Sequence, residues 1–189
     1  MMKPLSYILV PSTFGSLSIV WRETEQGPRV YRVLLPNEQA MAQDVVQVSL
    51  SDAISLVPPA IAELGERVRR FLAGDIIEFE QRHLDLLALD TCSEFQTKVL
   101  LAEHKIPRGW VSTYGRVTKI LGVPGGARAV GGALGRNPFP IIIPCHRAVR
   151  SDGQLGGFRG GVEMKRALLE MEGVKVSRAG KVLTNQFYY

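Results

Sequence analysis

Cys145 and His146 are adjacent in the run Ile143-Pro144-Cys145-His146-Arg147, and this pair offers the clearest chemistry in the chain. A thiolate is a strong nucleophile, and a neighbouring base or positive charge lowers the pKa of a free thiol from about 8.5. In an extended segment adjacent side chains point to opposite faces, so contact between the two needs a bridging water or a sharp backbone turn. A structural cysteine beside an incidental histidine is the alternative, and the dipeptide by itself favours it.

The remaining cysteine and histidines give no pattern of metal ligands. Cys92 lies far from Cys145, there is no Cys-x-x-Cys pair, and His83 and His104 have no ligand-like spacing to either cysteine. We therefore predict two free thiols and no metal.

The charge of the chain is divided unequally between its halves. Residues 1–91 carry eight basic and twelve acidic side chains, a net charge of −4, whereas residues 92–189 carry fifteen and six, a net charge of +9. No acidic residue stands between His104 and Ser151. Such a field attracts polyanions, although a solvated basic face would have the same composition.

The elements that must position Cys145 are predicted helices in the basic half. Ser93 begins a Ser-x-x-Gln capping box, and the apolar spacing that follows predicts a helix to about His104. A second helix is predicted over 113–121, with Tyr114, Val117, Ile120 and Leu121 on its buried side. Glycines at 122, 125 and 126 end it, a third helix follows over 127–134, and a short buried strand is predicted over 141–143. Two short helices around a glycine turn favour a helix-turn-helix.

The helix over 127–134 has an unusual composition. Each of its two interior glycines costs about 1 kcal/mol relative to alanine, so helix stability does not explain them. Val130 and Leu134 can face the core, while Ala127 and Gly131 form a strip of small residues beside Arg128. The strip suits either close approach to another molecule or tight packing between helices.

The acidic half predicts a small α/β domain. Segments 16–21 and 30–35 alternate like the strands of a hairpin, with Gly27-Pro28 as the turn, and the apolar spacing over 60–73 predicts a helix. Neither a membrane span nor a secretory leader is predicted, so we expect an intracellular protein, in the cytoplasm of a prokaryote or the nucleus of a eukaryote. The charge shift near Thr91 favours three regions: 1–90, 91–174 and a tail over 175–189.

A longer ordered pattern surrounds Cys145. Its members are Asn137, Pro138, Pro140, Ile143-Pro144-Cys145-His146-Arg147, Gly156-Gly157-Phe158, Gly160-Gly161, Lys165 and Glu170-Met171-Glu172-Gly173. From about Phe95 to Gly173 the chain resembles the O6-alkylguanine-DNA alkyltransferases. The resemblance implies an α/β plus α fold, in which an RNase H-like α/β domain precedes a helical, winged-helix-like active domain with the helix-turn-helix.

The resemblance also implies roles for four catalytic residues. Cys145 is similar to the nucleophile that takes the alkyl group from the damaged base and keeps it as a thioether, so that each molecule acts once. His146 is similar to the histidine that accepts the thiol proton through a water, and Glu172 to the carboxylate that orients this histidine. Tyr114 is similar to the tyrosine that donates a proton or hydrogen bond to the guanine ring.

For the DNA contact, the resemblance implies that Arg128 fills the gap left by a flipped nucleotide, while Ala127, Ala129 and Gly131 dock in the minor groove. Asn137 is similar to the residue that ties the helix-turn-helix to the active-site segment. The remaining residues of the substrate pocket are Pro140, Ala148, Gly156, Phe158, Arg159 and Gly160. Valine is usual in the family at position 148 and tyrosine is common at position 158. Arg159 is a long cation where relatives carry serine or other residues, and we expect it to narrow the pocket against bulky alkyl groups.

The implied activity is that of a single-turnover methylated-DNA–protein-cysteine S-methyltransferase. It needs no cofactor and no metal, and its partner is double-stranded DNA containing O6-alkylguanine, with O4-alkylthymine as a second candidate base. We expect a monomer without a membrane partner. Three other hypotheses are a damage-recognition module that transfers nothing, a helix-turn-helix regulator with Cys145 as its sensor, and a cysteine hydrolase.

Overall fold

The computed structural model describes residues 3–38 and 57–189, so part of the predicted region 1–90 lies outside the described residues. The chain forms two compact units. Unit 1 contains the described residues up to Thr91 together with Pro138–Ile142, and unit 2 contains Cys92–Asn137 and Ile143–Tyr189. The residues over 175–189, predicted as a separate tail, belong to unit 2.

Unit 1 is built on an antiparallel sheet in the order β1-β2-β3. Its strands are β1 (Ser6–Val10), β2 (Leu17–Thr24) and β3 (Gly27–Leu34). The predicted hairpin is confirmed, but its turn precedes the predicted Gly27-Pro28: Thr24 pairs with Gly27, whose φ of 102° closes the turn. Strand β1, which the sequence analysis did not predict, pairs with β2 with Ile8 opposite Ile19.

Two helices accompany this sheet, α1 (Pro59–Leu72) and α2 (Gln81–Leu84), with single 3-10 turns at Pro36–Glu38 and Leu89–Thr91. Helix α1 buries the face that its apolar spacing predicts, including Ile61, Leu64 and Val68. It packs closely on β1, because a Cβ atom at Gly65 would come within 2.7 Å of Ile8 Cδ1. Unit 1 is therefore a small α/β unit of two layers, with its core between α1 and the sheet.

The predicted strand over 141–143 is wrong. Ile141 has a φ of 74°, which breaks an extended path, and Pro138, Pro140 and Pro144 lack the N–H groups that a sheet ladder uses. The segment is a buried turn. Ile141 and Ile142 belong to unit 1, where the Val33 N–H donates to the Pro138 carbonyl at 2.7 Å, and Ile143 belongs to unit 2.

Unit 2 is mainly helical. Its helices are α3 (Glu94–His104), α4 (Tyr114–Ile120), α5 (Ala127–Gly135) and α6 (Val162–Met171). Strands β4 (Ser112–Thr113) and β5 (Ala148–Val149) form a parallel pair, and a 3-10 turn covers Cys145–Arg147. Helices α4 and α5 flank the glycine turn, as the helix-turn-helix prediction requires, and both pack against α3.

The predicted cap of α3 is half confirmed. The Ser93 hydroxyl accepts from the Gln96 N–H, but the Gln96 amide, instead of closing the capping box, donates to the carbonyls of Ala133 and Arg136. It thereby joins α3 to the end of α5. Val130 and Leu134 are buried as predicted.

The buried side predicted for α4 is wrong at one position. Ile120 is 55% exposed, because α4 ends at this residue and the chain then turns away through Gly122.

Residues 175–189 complete the core of unit 2. Val176 pairs with Val182 in an antiparallel bridge, and Phe187 pairs with Val111. Val182 packs in a cluster with Val111, Val149, Leu155, Leu169 and Val174. Within the described ranges, no helix has both the length and the apolar character needed to cross a membrane.

Candidate active site

Cys145 begins a tight turn rather than lying in an extended segment, as the sequence analysis assumed. The Cys145 N–H donates to the Ile143 carbonyl and the Arg147 N–H to the Pro144 carbonyl, both at 2.8 Å. Cys145 is 9% exposed and His146 is fully buried. The alternation that would separate their side chains in a strand does not apply here, because the backbone makes the sharp turn that a Cys-His contact requires. Cys145 and Cys92 are not joined in a disulfide bond, as predicted.

Behind the turn, His146 and Arg147 converge on one carboxylate. His146 Nε2 lies 3.0 Å from Glu172 Oε1, and Arg147 donates through Nε and Nη2 to the two oxygens of Glu172 at 2.9 and 2.7 Å. Arg147 Nη1 also donates to the Ile106 carbonyl. Glu172 caps the C-terminal end of α6, so this network fixes the turn to α6 and to the end of α3. His146 and Glu172 were predicted as site residues from the sequence, whereas Arg147 was not given a role.

The electrostatics of this network favour an ionised Glu172 and a neutral His146. Burial alone would raise the pKa of Glu172, but the hydrogen bonds from His146 and Arg147, together with the Arg147 charge, outweigh it and lower the pKa to about 2. Burial lowers the pKa of His146. A neutral imidazole that donates Nε2–H to the carboxylate carries its lone pair on Nδ1, which can accept a proton.

Asn137 links the thiol to the preceding segment. Its Nδ2 donates to the Ile143 carbonyl at 3.1 Å, and its side chain also forms a hydrogen bond with Cys145. Burial raises the pKa of Cys145 to about 11, and the contact with Asn137 opposes this shift. The resting nucleophile is therefore a thiol, which must lose its proton to react.

Two further charged residues, Lys165 and Glu103, are fully buried near the thiol. Lys165 Nζ donates to the Ala148 carbonyl at 2.6 Å and to the Gly157 carbonyl at 3.3 Å, so it joins β5 to the glycine loop. Burial lowers the pKa of Lys165 to about 8 and raises the pKa of Glu103 to about 8. Neither residue was given a function from the sequence, because an isolated charge on a helix gives no sign of burial.

Tyr114 is the first residue of α4, which Thr113 caps by accepting the Arg116 N–H. A Cβ atom at Gly156 would come within 2.9 Å of the Tyr114 hydroxyl, and one at Gly131 would lie 4.0 Å from the Tyr114 ring. Gly156 therefore makes room for this side chain, whereas a Cβ atom at position 131 would be in ordinary contact with the ring. Burial, with the nearby Glu103 and Cys145, raises the pKa of Tyr114, so that the phenol stays protonated and can donate a hydrogen bond.

The loop over 156–161 contributes the other predicted pocket residues of unit 2. The Phe158 ring meets the His146 ring edge to face, with centroids 6.4 Å apart. Arg159 Nη1 donates to the Asn137 carbonyl at 2.8 Å, and Gly160 is half-buried. Ala148 is buried in β5. Pro140 is buried and belongs to unit 1.

The strip of small residues predicted for DNA contact lies on α5. Arg128 and Ala129 are exposed, and Ala127 and Gly131 are half-buried. Gly131 lies beside Tyr114, so the strip adjoins the candidate active site.

Together these residues can perform a nucleophilic displacement. A buried thiol, an imidazole whose tautomer is fixed by a carboxylate, and a protonated phenol supply a nucleophile, a base and a hydrogen-bond donor. Among the residues that the structure describes, no three or more His, Cys, Asp or Glu side chains are grouped to hold a metal ion.

Comparison with known proteins identifies similar sequences. Residues 94–174 match the family model described as 6-O-methylguanine DNA methyltransferase, DNA binding domain. A methylated-DNA–protein-cysteine methyltransferase from Methanothermobacter thermautotrophicus is 47% identical over 119 residues, which cover 63% of this chain and 65% of that protein, slightly less than two thirds. The protein of the same name from Mycobacterium tuberculosis is 43% identical, covering 61% of this chain and 67% of the relative.

Solved structures match over a longer part of the chain. Mycobacterium tuberculosis OGT in complex with DNA is 31% identical with a TM-score of 0.64, covering 88% of this chain and 91% of that one. The O6-methylguanine-DNA methyltransferase of the archaeon Pyrococcus kodakaraensis is also 31% identical with a TM-score of 0.64, covering 90% and 99% of the two chains.

Proposed function

Because the chain belongs to the O6-methylguanine DNA methyltransferase family, we propose that it repairs alkylated DNA by moving the alkyl group of O6-alkylguanine onto Cys145. The observation that carries this proposal is the network at the 3-10 turn, where His146 beside Cys145 is held by Glu172 at 3.0 Å. A structural cysteine would need neither an oriented base nor a buried ion pair behind it.

Transfer begins with deprotonation of the thiol. His146 Nδ1 accepts the proton through a water, since Nε2 is engaged with Glu172. The thiolate then attacks the alkyl carbon in line with the departing O6 atom; the S–C bond forms as the C–O bond breaks. Tyr114 donates a proton or hydrogen bond to the guanine ring, which makes the base a better leaving group.

The product is a thioether on Cys145. A thioether does not hydrolyse in neutral aqueous solution, so each protein molecule acts once and the reaction is stoichiometric. The same attack fits O4-alkylthymine, whose alkyl carbon is also bonded to an exocyclic oxygen.

Reaction with a base in a duplex requires that the nucleotide be flipped out of the stack. The partner is double-stranded DNA, and a monomer suffices because one chain carries all the proposed catalytic groups. The strip on α5 suits a close approach to the minor groove, with the exposed Arg128 entering the stack in place of the flipped nucleotide. The relative from Mycobacterium tuberculosis was solved with DNA.

A titration of repair against protein concentration tests this proposal. Increasing amounts of protein are mixed with a duplex containing one O6-methylguanine, and the repaired fraction is expected to rise linearly until protein and lesion are equal. Cys145→Ala should bind the duplex and repair nothing, whereas the matched control Cys92→Ala should repair it fully. Repair of many lesions by each molecule, or repair by Cys145→Ala, would exclude the mechanism.

A further inference from the structure

Arg159 is the one charged side chain in the glycine loop over 156–161, and it is anchored at the active site. Its Nη1 donates to the Asn137 carbonyl at 2.8 Å. The side chain of the same Asn137 forms a hydrogen bond with the Cys145 thiol. The guanidinium is thus attached to the residue that directly contacts the nucleophile.

The charges around the thiol differ in what they can offer a substrate. Lys165 is fully buried, and its ammonium group is engaged within the protein by hydrogen bonds to two backbone carbonyls. Glu103 is buried, and because burial raises its pKa to about 8 it is neutral near pH 7 and has no charge to offer an anion. Arg159 is only half-buried, and a guanidinium carries five N–H donors in a planar fork that fits a carboxylate. The charges of both Lys165 and Arg159 favour the thiolate form of Cys145.

Resting on the proposed function, we propose that Arg159 determines specificity for the alkyl group, favouring groups that carry a carboxylate, such as carboxymethyl. In O6-carboxymethylguanine the carboxylate is bonded to the carbon that the thiolate attacks, so two negative charges approach each other in the transition state. A guanidinium beside the thiol offsets this repulsion and can bind the carboxylate with two hydrogen bonds. The S–C bond forms, the C–O6 bond breaks, guanine leaves protonated, and the carboxylate remains on Cys145 as S-carboxymethylcysteine.

The same side chain disfavours bulky apolar groups. The Arg159 guanidinium is held at the Asn137 carbonyl, and a benzyl group there would have to displace it or bury its charge against a ring. Arg159 thus discriminates in two ways, through its charge and through its size.

The test compares three substrates, two of which have alkyl groups of the same shape but different charge. Single-turnover rates are measured on duplexes carrying O6-methyl-, O6-carboxymethyl- or O6-carbamoylmethylguanine; the last is the neutral isostere of carboxymethyl. The wild type is expected to prefer carboxymethyl over carbamoylmethyl, and Arg159→Met should lower that ratio by about tenfold or more, the size of one charge-assisted hydrogen bond. Arg159→Lys, which keeps the charge but loses the fork, should fall between the two. Arg178→Met, which removes an exposed charge from residues 175–189, should leave the ratio unchanged.

Size is tested separately with O6-benzylguanine. The ratio of benzyl to methyl transfer should rise in Arg159→Ala, which opens space, and much less in Arg159→Met, which keeps most of the bulk. A wild-type ratio of carboxymethyl to carbamoylmethyl of one or less would overturn the proposal without any variant. An equal ratio in wild type and Arg159→Met would overturn it as well. Failure of the wild type to transfer methyl would instead refute the proposed function.

Discussion

Replacing Glu103 with glutamine is expected to stabilise unit 2, by an amount that grows as the pH rises from about 5 to about 8. Glu103 lies near the end of α3 and is 0% exposed. Neither of its carboxyl oxygens has a hydrogen-bond partner among the residues that the structure describes. A buried polar group of this kind destabilises the native state, and most when it is charged.

The magnitude follows from the pKa of this carboxyl. Burial raises the pKa of Glu103 from 4.5 to about 8, although Lys165 and Arg147 act in the opposite direction. Between these values the native state binds more protons than the unfolded state, so stability is full below about pH 4.5 and falls as the pH rises to about 8. At about 1.4 kcal/mol per pH unit, the loss is about 3 kcal/mol at pH 7 and about 5 kcal/mol above pH 8. Glutamine keeps the volume and cannot ionise, so it removes this loss.

Urea unfolding between pH 5 and pH 8 measures the effect. The two tryptophans separate the units, because Trp21 lies in unit 1 and Trp110 in unit 2; a Trp21→Phe background therefore reports on unit 2 alone. Glu103→Gln and the parent should have similar free energies of unfolding near pH 5 and diverge towards pH 8. The matched control is Glu94→Gln, a replacement of an exposed carboxylate on the same helix, and it should run parallel to the parent.

Parallel pH curves for Glu103→Gln and the parent would refute the reasoning. A variant that is less stable than the parent at pH 8 would refute it more strongly, because it would mean that the ionised carboxylate is stabilising.

Three other perturbations have equally definite outcomes. Glu172→Gln leaves Arg147 without its buried counter-charge, so we expect the free energy of unfolding to fall by about 3 to 5 kcal/mol and methyl transfer to slow by about 10²-fold or more. An unchanged transfer rate would contradict the role of Glu172. Gly156 has a φ of 70°, and Gly156→Ala places a Cβ within 2.9 Å of the Tyr114 hydroxyl, so this variant should transfer methyl more slowly with little loss of DNA affinity. The control Gly157→Ala adds its Cβ in open space and should have no effect; equal rates in the two variants would contradict the packing at Tyr114. Arg128→Ala should lower duplex affinity and weaken its salt dependence, which a titration at several salt concentrations measures; unchanged binding would exclude this contact.

Local structure was predictable where the determinants are close in sequence. Ser93 begins α3 because its hydroxyl accepts a nearby N–H, and glycines separate α4 from α5 because they end the first helix. The helical boundaries in the basic half follow from such short-range signals.

The turn at Cys145 was not predictable from local pattern. The three isoleucines before it suggest a strand, and nothing in their spacing indicates that Ile141 adopts a φ of 74°. Likewise, contacts between residues distant in sequence decide the burial of Lys165 and Glu103 and the pairing of Arg147 with Glu172. The resemblance identified Cys145, His146 and Glu172, but the charges around them became visible only once the chain was folded.

Alkyl transfer to Cys145 is tested by identifying the residue that receives the methyl group. The protein is incubated with an equimolar duplex containing one O6-methylguanine and then digested, and its cysteine peptides are examined by mass spectrometry. The expected result is one methyl group on the peptide containing Cys145, none on the peptide containing Cys92, and unmodified guanine in the duplex. A protein that binds the duplex but leaves both cysteines unmethylated would contradict it, as would methylation of Cys92 alone.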